Sequence, residues 1–376
     1  MKLTLQIKLL PNAEQHDALL NTMHVFNDAC NFIAEVAFRE QCTSKFSLQK
    51  MVYADVRALF GLSAQLTVRA IGKVIEAYKR DNSIQCFFRP TGATIYDQRV
   101  LSFKGLEAVS ILTMAGRLTI PMQMGEYQRV QFNRGHGQAD LVLVDGTFYL
   151  LLVVETPEAP PTPPTGFLGV DLGIVQIASD SDGQSFSGAA VEATRRRYHS
   201  ARKALQACGS RSAKRHLKRI NRTEARFRKD TNHVISKTLV LKAKGTGRGI
   251  GLEDLKHIRA RTTVRRADRA KHSGWSFFQL QSFVEYKAKL HGVVVQYIDP
   301  RNTSRTCCAC GHIAKANRKT QSSFLCVSCG HTANADDNAA MNIATKAAVK
   351  QPIVACDDRN GCREHSYKLR PSGRGR

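Results

Sequence analysis

From position 157 the chain reads Pro157-Glu158-Ala159-Pro160-Pro161-Thr162-Pro163-Pro164-Thr165, five prolines in nine residues. Proline locks φ and has no backbone N–H, so such a run excludes a helix or an internal sheet strand. An extended, semi-rigid linker is expected at 157–165, with a separately folded part on each side.

Charge distinguishes the two parts. The net charge is +25 over 376 residues. Residues 1–165 hold 16 Lys and Arg against 15 Asp and Glu, whereas residues 166–376 hold 40 against 16. A positive field confined to one part points to a polyanion, because neutralising phosphates releases condensed counterions. An inert basic surface would not leave the first part neutral. Nucleic acid is therefore the expected partner.

The opening, Met1-Lys2-Leu3-Thr4-Leu5-Gln6-Ile7-Lys8, alternates polar and apolar as a strand does and lacks a signal-like apolar block. No apolar run approaches the roughly 18 residues of a membrane span. Eleven cysteines, an odd number of which only four fall into a pattern, fit reduced thiols and one metal site in a cytoplasmic protein better than a disulfide framework.

Within the first part, Asn12-Ala13-Glu14-Gln15 has the form of a capping box. It leads a helix with Leu19, Met23, Phe26, Cys30, Ile33 and Ala37 on one face. Helical periodicity returns over Ser47–Phe60 and Ser63–Arg80. From Ile84 to Glu155 the period becomes two, and Leu141–Val144, Asp145-Gly146, Thr147–Leu150 is a hairpin pattern. One reading is a β-barrel over 1–11 and 81–156, interrupted by a helical insert at 12–80; the other is two unrelated small domains. A lone first strand needs partners, which favours the interrupted barrel. After the linker, strands and helices alternate around a cysteine-rich stretch, an α/β arrangement. Residues 351–376 are expected to be a disordered basic tail.

Three acids in the second part stand where acids need a reason. Asp171 lies in the apolar strand Phe167-Leu168-Gly169-Val170-Asp171-Leu172-Gly173, Glu253 ends Ile250-Gly251-Leu252-Glu253, and Asp336 opens the helix Asp336-Asp337-Asn338-Ala339-Ala340-Met341-Asn342-Ile343. A buried strand excludes a charge unless it is paired or holds a metal. Singly they could be turn formers, ion-pair partners or, for Asp336, a helix cap. Together they suit a site for two Mg²⁺ or Mn²⁺ ions, hard cations that prefer oxygen ligands. Such a site supports in-line phosphodiester displacement. The neighbouring Asp254 and Asp337 are expected to matter less.

Cys307-x2-Cys310 and Cys326-x2-Cys329 are separated by fifteen residues, the spacing of a closed tetrahedral zinc site. Cys308 is a bystander in that pattern, and a redox pair is disfavoured because two such pairs lie close together. Between the first two acids, residues 195–229 hold fourteen Lys and Arg and the single acid Glu224. A solvated helix usually interleaves acids. Lys214, Arg215, Lys218, Arg219, Arg222 and Arg226 are therefore expected to line a phosphate channel.

In order, these motifs, with Asn232-His233-Val234-Ile235-Ser236-Lys237, Trp275, Glu285-Tyr286-Lys287 and Thr303-Ser304-Arg305-Thr306-Cys307, resemble the TnpB family, transposon-encoded RNA-guided DNA endonucleases ancestral to type V CRISPR effectors. The resemblance is specific over about 166–345 and looser before the linker. It implies an RNase H-like RuvC nuclease domain at 166–302 and 333–350, with a zinc ribbon inserted at 303–332. It further implies a wedge-like barrel with a recognition insert, and Asp171, Glu253 and Asp336 as the catalytic triad. The implied partners are a guide RNA from the transposon end and a double-stranded DNA target beside a short protein-read motif. Lys50, Tyr53, Arg57, Lys73 and Arg80 are candidates for reading that motif, because base readout needs positioned side chains rather than net charge. A compact CRISPR effector and a non-cleaving regulator are the alternatives.

Overall fold

The computed structural model describes residues 1–132, 136–255, 277–320 and 322–350. The expected basic tail and Trp275 lie outside the described residues. The chain divides into two compact units, Met1–Pro157 and Glu158–Arg376.

In the first unit β1 (Lys2–Leu9) is followed by α1 (Ala13–Arg39), α2 (Lys45–Phe60) and α3 (Ala64–Tyr78). Then come β2 (Thr94–Tyr96), β3 (Leu101–Lys104), β4 (Ala108–Thr113), β5 (Gly116–Gln123), α4 (Glu126–Phe132), β6 (His136–Val144) and β7 (Thr147–Glu155). The antiparallel sheet has the order β2-β6-β7-β1-β5-β4-β3. β1 sits in its middle, paired to β7 from Lys2↔Glu155 to Lys8↔Tyr149 and to β5 at Lys8↔Gln123 and Leu9↔Met122. The helices interrupt a sheet that the chain later completes. Sheet and helices share one core, in which Leu5, Ile7 and Leu9 meet Leu19, Met23, Phe26 and Ile33, so the two-domain reading falls.

The expected barrel is corrected in one respect: its edge strands β2 and β3 are not bonded to each other. The carbonyl of Asp97 closes the turn between them by accepting from Val100 and Leu101, and β3 pairs away with β4. The sheet curls without closing.

Local signals account for the element ends. Asn12 Oδ1 accepts from the Gln15 N–H at 2.8 Å and Gln15 Oε1 from the Asn12 N–H at 3.1 Å, a complete capping box. The β6–β7 turn has φ of 52° at Asp145 and 76° at Gly146, the paired positive values that match the twist of a hairpin.

In the second unit the order is β8 (Phe167–Asp171), β9 (Gln176–Asp180), β10 (Ser185–Ser187), α5 (Ala189–Cys208), α6 (Arg211–Gly245) and β11 (Gly249–Glu253). It continues with α7 (Phe277–His291), β12 (Val295–Ile298), β13 (Ser323–Leu325), β14 (Thr332–Asn334) and α8 (Ala335–Lys350). The central sheet runs β10-β9-β8-β11-β12, with β8, β11 and β12 parallel to one another and β9 antiparallel to both of its neighbours, β8 and β10.

Period-two alternation sorts the two faces of this sheet. Leu168, Val170, Ile250 and Leu252 pack with Ile235, Leu239 and Val240 of α6 and Leu280 and Val284 of α7. The odd-numbered positions of β8 and β11 meet α8, as does Ile298 of β12, which is level with Glu253, so that Phe167 and Ile298 pack on Ile343 and Ala347. On that face Gly169 and Gly251 make room: a Cβ on Gly251 would lie 2.9 Å from the Ala347 Cβ.

Two further expectations are corrected. The proline run is not free-standing: the N–H groups of Ala159, Thr162 and Thr165 donate to the carbonyls of Lys289, Gly292 and Gly247 at 3.2, 3.0 and 3.0 Å. Four of its residues keep an N–H, and these three use theirs to strap the run to the second unit. The basic helix is two helices, because Gly209 (φ 63°) ends α5 and the Ser210 hydroxyl caps α6 at the Ala213 N–H. Glu224 is buried and ion-paired with Arg202 of α5, which joins the hairpin. Among the described residues no helix is long and apolar enough to cross a membrane.

Candidate active site and metal centre

Asp171 and Glu253 are the last residues of β8 and β11, parallel neighbours with Val170 opposite Leu252. Both acids therefore leave the sheet at the same level. β8 is also where the strand order turns, and open α/β sheets hold ligands beyond the carboxyl ends of their strands at such a switch point. Their odd positions turn both side chains to the face crossed by α8. That helix brings Asp336 in its first turn. Asn334 does the capping, its Oδ1 accepting from the Asp336 N–H at 2.9 Å, so the Asp336 carboxylate is not needed as the cap.

The three carboxylates line one pocket of about 250 Å³ with Gln176, Pro300, Thr303, Ser304 and Arg318. At roughly 30 Å³ per water, that volume holds cations together with several waters. Burial pushes Asp171 up to about 7, helped by the charges of Glu253 and Asp336 and opposed by Arg318. Glu253, 8% exposed, is also raised by burial, with the Thr303 hydroxyl bond and Lys346 pulling the other way. Asp336 is raised by burial and lowered by Arg318, whose Nη2 stands 3.5 Å from its Oδ1. Three neighbouring acids, each pushed upward chiefly by burial, form a site short of positive charge, and an oxygen-only donor set suits Mg²⁺ or Mn²⁺.

Arg318 and Thr303 were not singled out as site residues. Thr303 lies in a recognised motif, but Arg318 sits in an ordinary Lys/Arg-rich loop with no pattern to mark it.

The cysteine motif folds as two matching knuckles. In each, the first cysteine's carbonyl accepts from a glycine N–H: Gly311 to Cys307 at 2.9 Å, and Gly330 to Cys326 at 3.0 Å. These glycines have φ of 75° and 74°, values that L side chains rarely adopt. The sulfurs of Cys307, Cys310, Cys326 and Cys329 all lie within 4.8 Å of one another, with Cys307–Cys329 at 3.7 Å and Cys310–Cys326 at 3.6 Å. Thiolates about 2.3 Å from a shared tetrahedral ion stand about 3.8 Å apart, so the set fits a metal ion. Cys308 points elsewhere, to His331 Nε2 at 3.5 Å. Asn338 and Asn342, one turn apart on α8, bond the carbonyls of Thr303 and Thr306 at 2.7–2.9 Å and so tie the knuckles to the helix that carries Asp336.

Two family models match, the Cas12f1-like TNB domain over residues 277–343 and OrfB_IS605, described as "Probable transposase", over 151–257. The pocket draws Asp171 and Glu253 from the second and Asp336 from the first. Three curated relatives are similar. The CRISPR-associated endodeoxyribonuclease Cas12f1 of Sulfoacidibacillus thermotolerans is 36% identical over 47% of this chain and 44% of that protein. InsQ of Escherichia coli (strain K12), named as an RNA-guided DNA endonuclease, is 30% identical over 57% and 56%. A TnpB-like protein of Methanocaldococcus jannaschii is 36% identical over 25% and 34%. The chain is thus similar, over parts of its length, to TnpB-like and Cas12f proteins. It spans about half the length of the first two relatives. A cryo-EM structure titled as a Cas12f1-sgRNA-target DNA complex shares the fold, with a TM-score of 0.61 at 14% identity over 87% of this chain and 82% of that one.

The remaining candidates fall into two groups. Lys214, Arg215, Lys218, Arg219 and Arg226 are exposed on α6, with Arg222 half-buried. Lys50, Arg57 and Arg80 are also exposed, whereas Tyr53 is half-buried against the core of the first unit. Lys73 is corrected: its ammonium bonds Asn27 Oδ1 at 2.7 Å and the Ala93 carbonyl at 2.6 Å, between the rings of Phe26 and Phe88, and so serves the fold. The motif residues His233 and Lys287 seam α6 to α7, with His233 stacked on Phe283 at 4.0 Å and Lys287 Nζ 2.6 Å from the His233 carbonyl.

Proposed function

We propose that this protein is an RNA-guided DNA endonuclease that hydrolyses phosphodiester bonds of a double-stranded target chosen by a guide RNA transcribed from a transposon end. The observation that carries the reading is the convergence of Asp171, Glu253 and Asp336 from two strands and a helix on one pocket. In this reading they are the catalytic triad of an RNase H-like RuvC domain at 166–302 and 333–350, and 303–332 is a zinc ribbon. The first unit is a wedge-like sheet carrying the recognition helices of 12–80.

The carboxylates would hold Mg²⁺ or Mn²⁺, which when bound supplies charge stabilisation for in-line displacement at phosphorus. The protein's own part is to keep the oxygens aimed. Thr303 orients the Glu253 carboxylate, the Gln281 amide holds the Glu253 carbonyl at 2.7 Å, and α8 presents Asp336 with its cap already met. Arg318, a fixed cation beside the acids, is placed to meet a phosphate. Cys307, Cys310, Cys326 and Cys329 would hold Zn²⁺ as a brace, outside the chemistry. The exposed cations of α6 would take guide or target phosphates.

The test is cleavage of a guide-matched duplex by protein copurified with its RNA, with and without Mg²⁺. Asp171→Ala, Glu253→Ala and Asp336→Ala are expected to abolish cutting while RNA retention stays near wild type, with Asp254→Ala and Asp337→Ala much milder. Cutting that persists in one of the three removes that acid from the site. Binding without cutting by wild-type protein would establish the non-cleaving regulator instead. A copurified RNA carrying a CRISPR repeat would establish the effector alternative.

A further inference from the structure

Between α3 and β2, residues 85–89 lie in no helix or sheet and lead into a turn closed by the Gly92 N–H on the Arg89 carbonyl at 2.8 Å, yet the backbone of this stretch is held by side chains of α1 and α3. Asn31 Oδ1 accepts from the Phe88 N–H at 2.7 Å, and its amide donates to the Phe88 carbonyl at 3.0 Å, as a neighbouring strand would. The Asn27 amide donates to the carbonyls of Pro90 and Gly92 at 3.2 and 2.8 Å, and the Lys73 ammonium to that of Ala93 at 2.6 Å. The Tyr78 hydroxyl accepts from the Cys86 N–H at 3.2 Å. Gly92 is needed here, since a Cβ would stand 2.8 Å from Asn27 Oδ1.

The clamp has a consequence for the outer edge. In an extended segment successive side chains alternate. Cys86 and Phe88 turn inward, the latter with its ring centroid 5.0 Å from the Lys73 ammonium, while Gln85, Phe87 and Arg89 turn to solvent. Phe87 is 78% exposed. A segment so firmly ordered presents a bare aromatic ring between an amide and a guanidinium, chemistry that fits a base flanked by phosphate.

We propose that Phe87 is a wedge for target DNA, its ring stacking on the base laid bare where the duplex opens, with Arg89 on the adjoining phosphate. This rests on the guided-endonuclease reading. Pairing a target strand with a guide requires the duplex to be opened, and apolar side chains set against base steps unstack them. The near-neutral charge of residues 1–165 argues that this contact positions the DNA and does not supply bulk affinity.

The experiment uses the full chain loaded with its copurified RNA, without Mg²⁺, and reads permanganate reactivity of thymines in a guide-matched duplex. Phe87→Ala is expected to slow opening about tenfold, the scale of one base–aromatic stack, and Phe87→Tyr to restore it. On a target already mismatched beside the recognition motif, Phe87→Ala should bind within about twofold of wild type. Equal opening by wild type and Phe87→Ala would overturn the wedge and leave the endonuclease reading standing. A defect that persists on the pre-opened target would also overturn it. If wild-type protein opens no guide-matched target, the guided reading itself fails and the wedge fails with it.

Discussion

Gly169 on β8 and Ala340 on α8 meet backbone to backbone: a Cβ built on Gly169 would stand 1.9 Å from the Ala340 carbonyl oxygen and 2.5 Å from the Ala344 nitrogen. Neither atom is a flexible side-chain end, so a substitution must move the helix. Because α8 carries Asp336 in its first turn and Gly169 lies two residues before Asp171 on the same face, this contact sets how closely two of the three acids approach.

Gly169→Ala is therefore expected to destabilise the protein by about 1–3 kcal/mol, the range for forced overpacking, and to lose cleavage beyond what that stability loss explains. Gly72→Ala is the control. It lies in α3 with nothing within 4 Å of the added Cβ, and is expected to stabilise by about 0.5–1 kcal/mol. Thermal denaturation of both variants checks the pair; an unchanged Tm for Gly169→Ala would mean that the helix yields freely.

The raised pKa of Asp171 carries a stability signature. Its folded value, about 7, lies above the ordinary aspartate value of 3.8, so its contribution is fully present below that lower value. It is lost as pH rises through about 7. In Mg²⁺-free buffer, Asp171→Asn should thus gain Tm relative to wild type between about pH 5 and about pH 8. Added Mg²⁺ should raise the wild-type Tm at the higher pH and barely move the variant. A Tm difference that does not change with pH would show that the carboxylate is already compensated.

Replacing Cys310 or Cys329 by serine should cost stability before chemistry. A structural metal contributes folding free energy directly, and here the knuckles also hold Thr303 and Thr306 against α8. Metal analysis of protein purified without chelators is expected to find one zinc per chain, and absence of zinc would defeat the assignment.

Neutralising Lys214, Arg215, Lys218 and Arg219 together should weaken guide RNA binding and flatten its salt dependence. Each phosphate that the variant no longer neutralises lowers the slope of log K against log salt by roughly 0.7–0.9. Binding measured over a salt series decides this, and an unchanged slope would make the outer face of α6 merely solvated.

Much of the site's identity was legible in the chain because its signals are local. Two cysteines separated by two residues must lie within one knuckle, and an acid inside an apolar strand stands out whatever the strand later packs on. The capping box at Asn12 and the Asp145-Gly146 turn were readable for the same reason, since each depends on a few adjacent dihedrals. What the tertiary structure alone decided depends on contacts between residues far apart in the chain. Only the parallel register of β8 and β11 brings Asp171 and Glu253 level, and only the crossing of α8 makes Gly169 and Gly251 a seat for a helix. Arg318, 18 residues before Asp336, reaches it through the knuckle fold. Lys73 looked like a surface cation and is an internal clamp, because helix periodicity gives the face of a residue but not what the chain lays over that face. The proline run marked a boundary correctly as a break in regular structure, while its attachment depended on carbonyls at Gly247, Lys289 and Gly292, which no local pattern could supply.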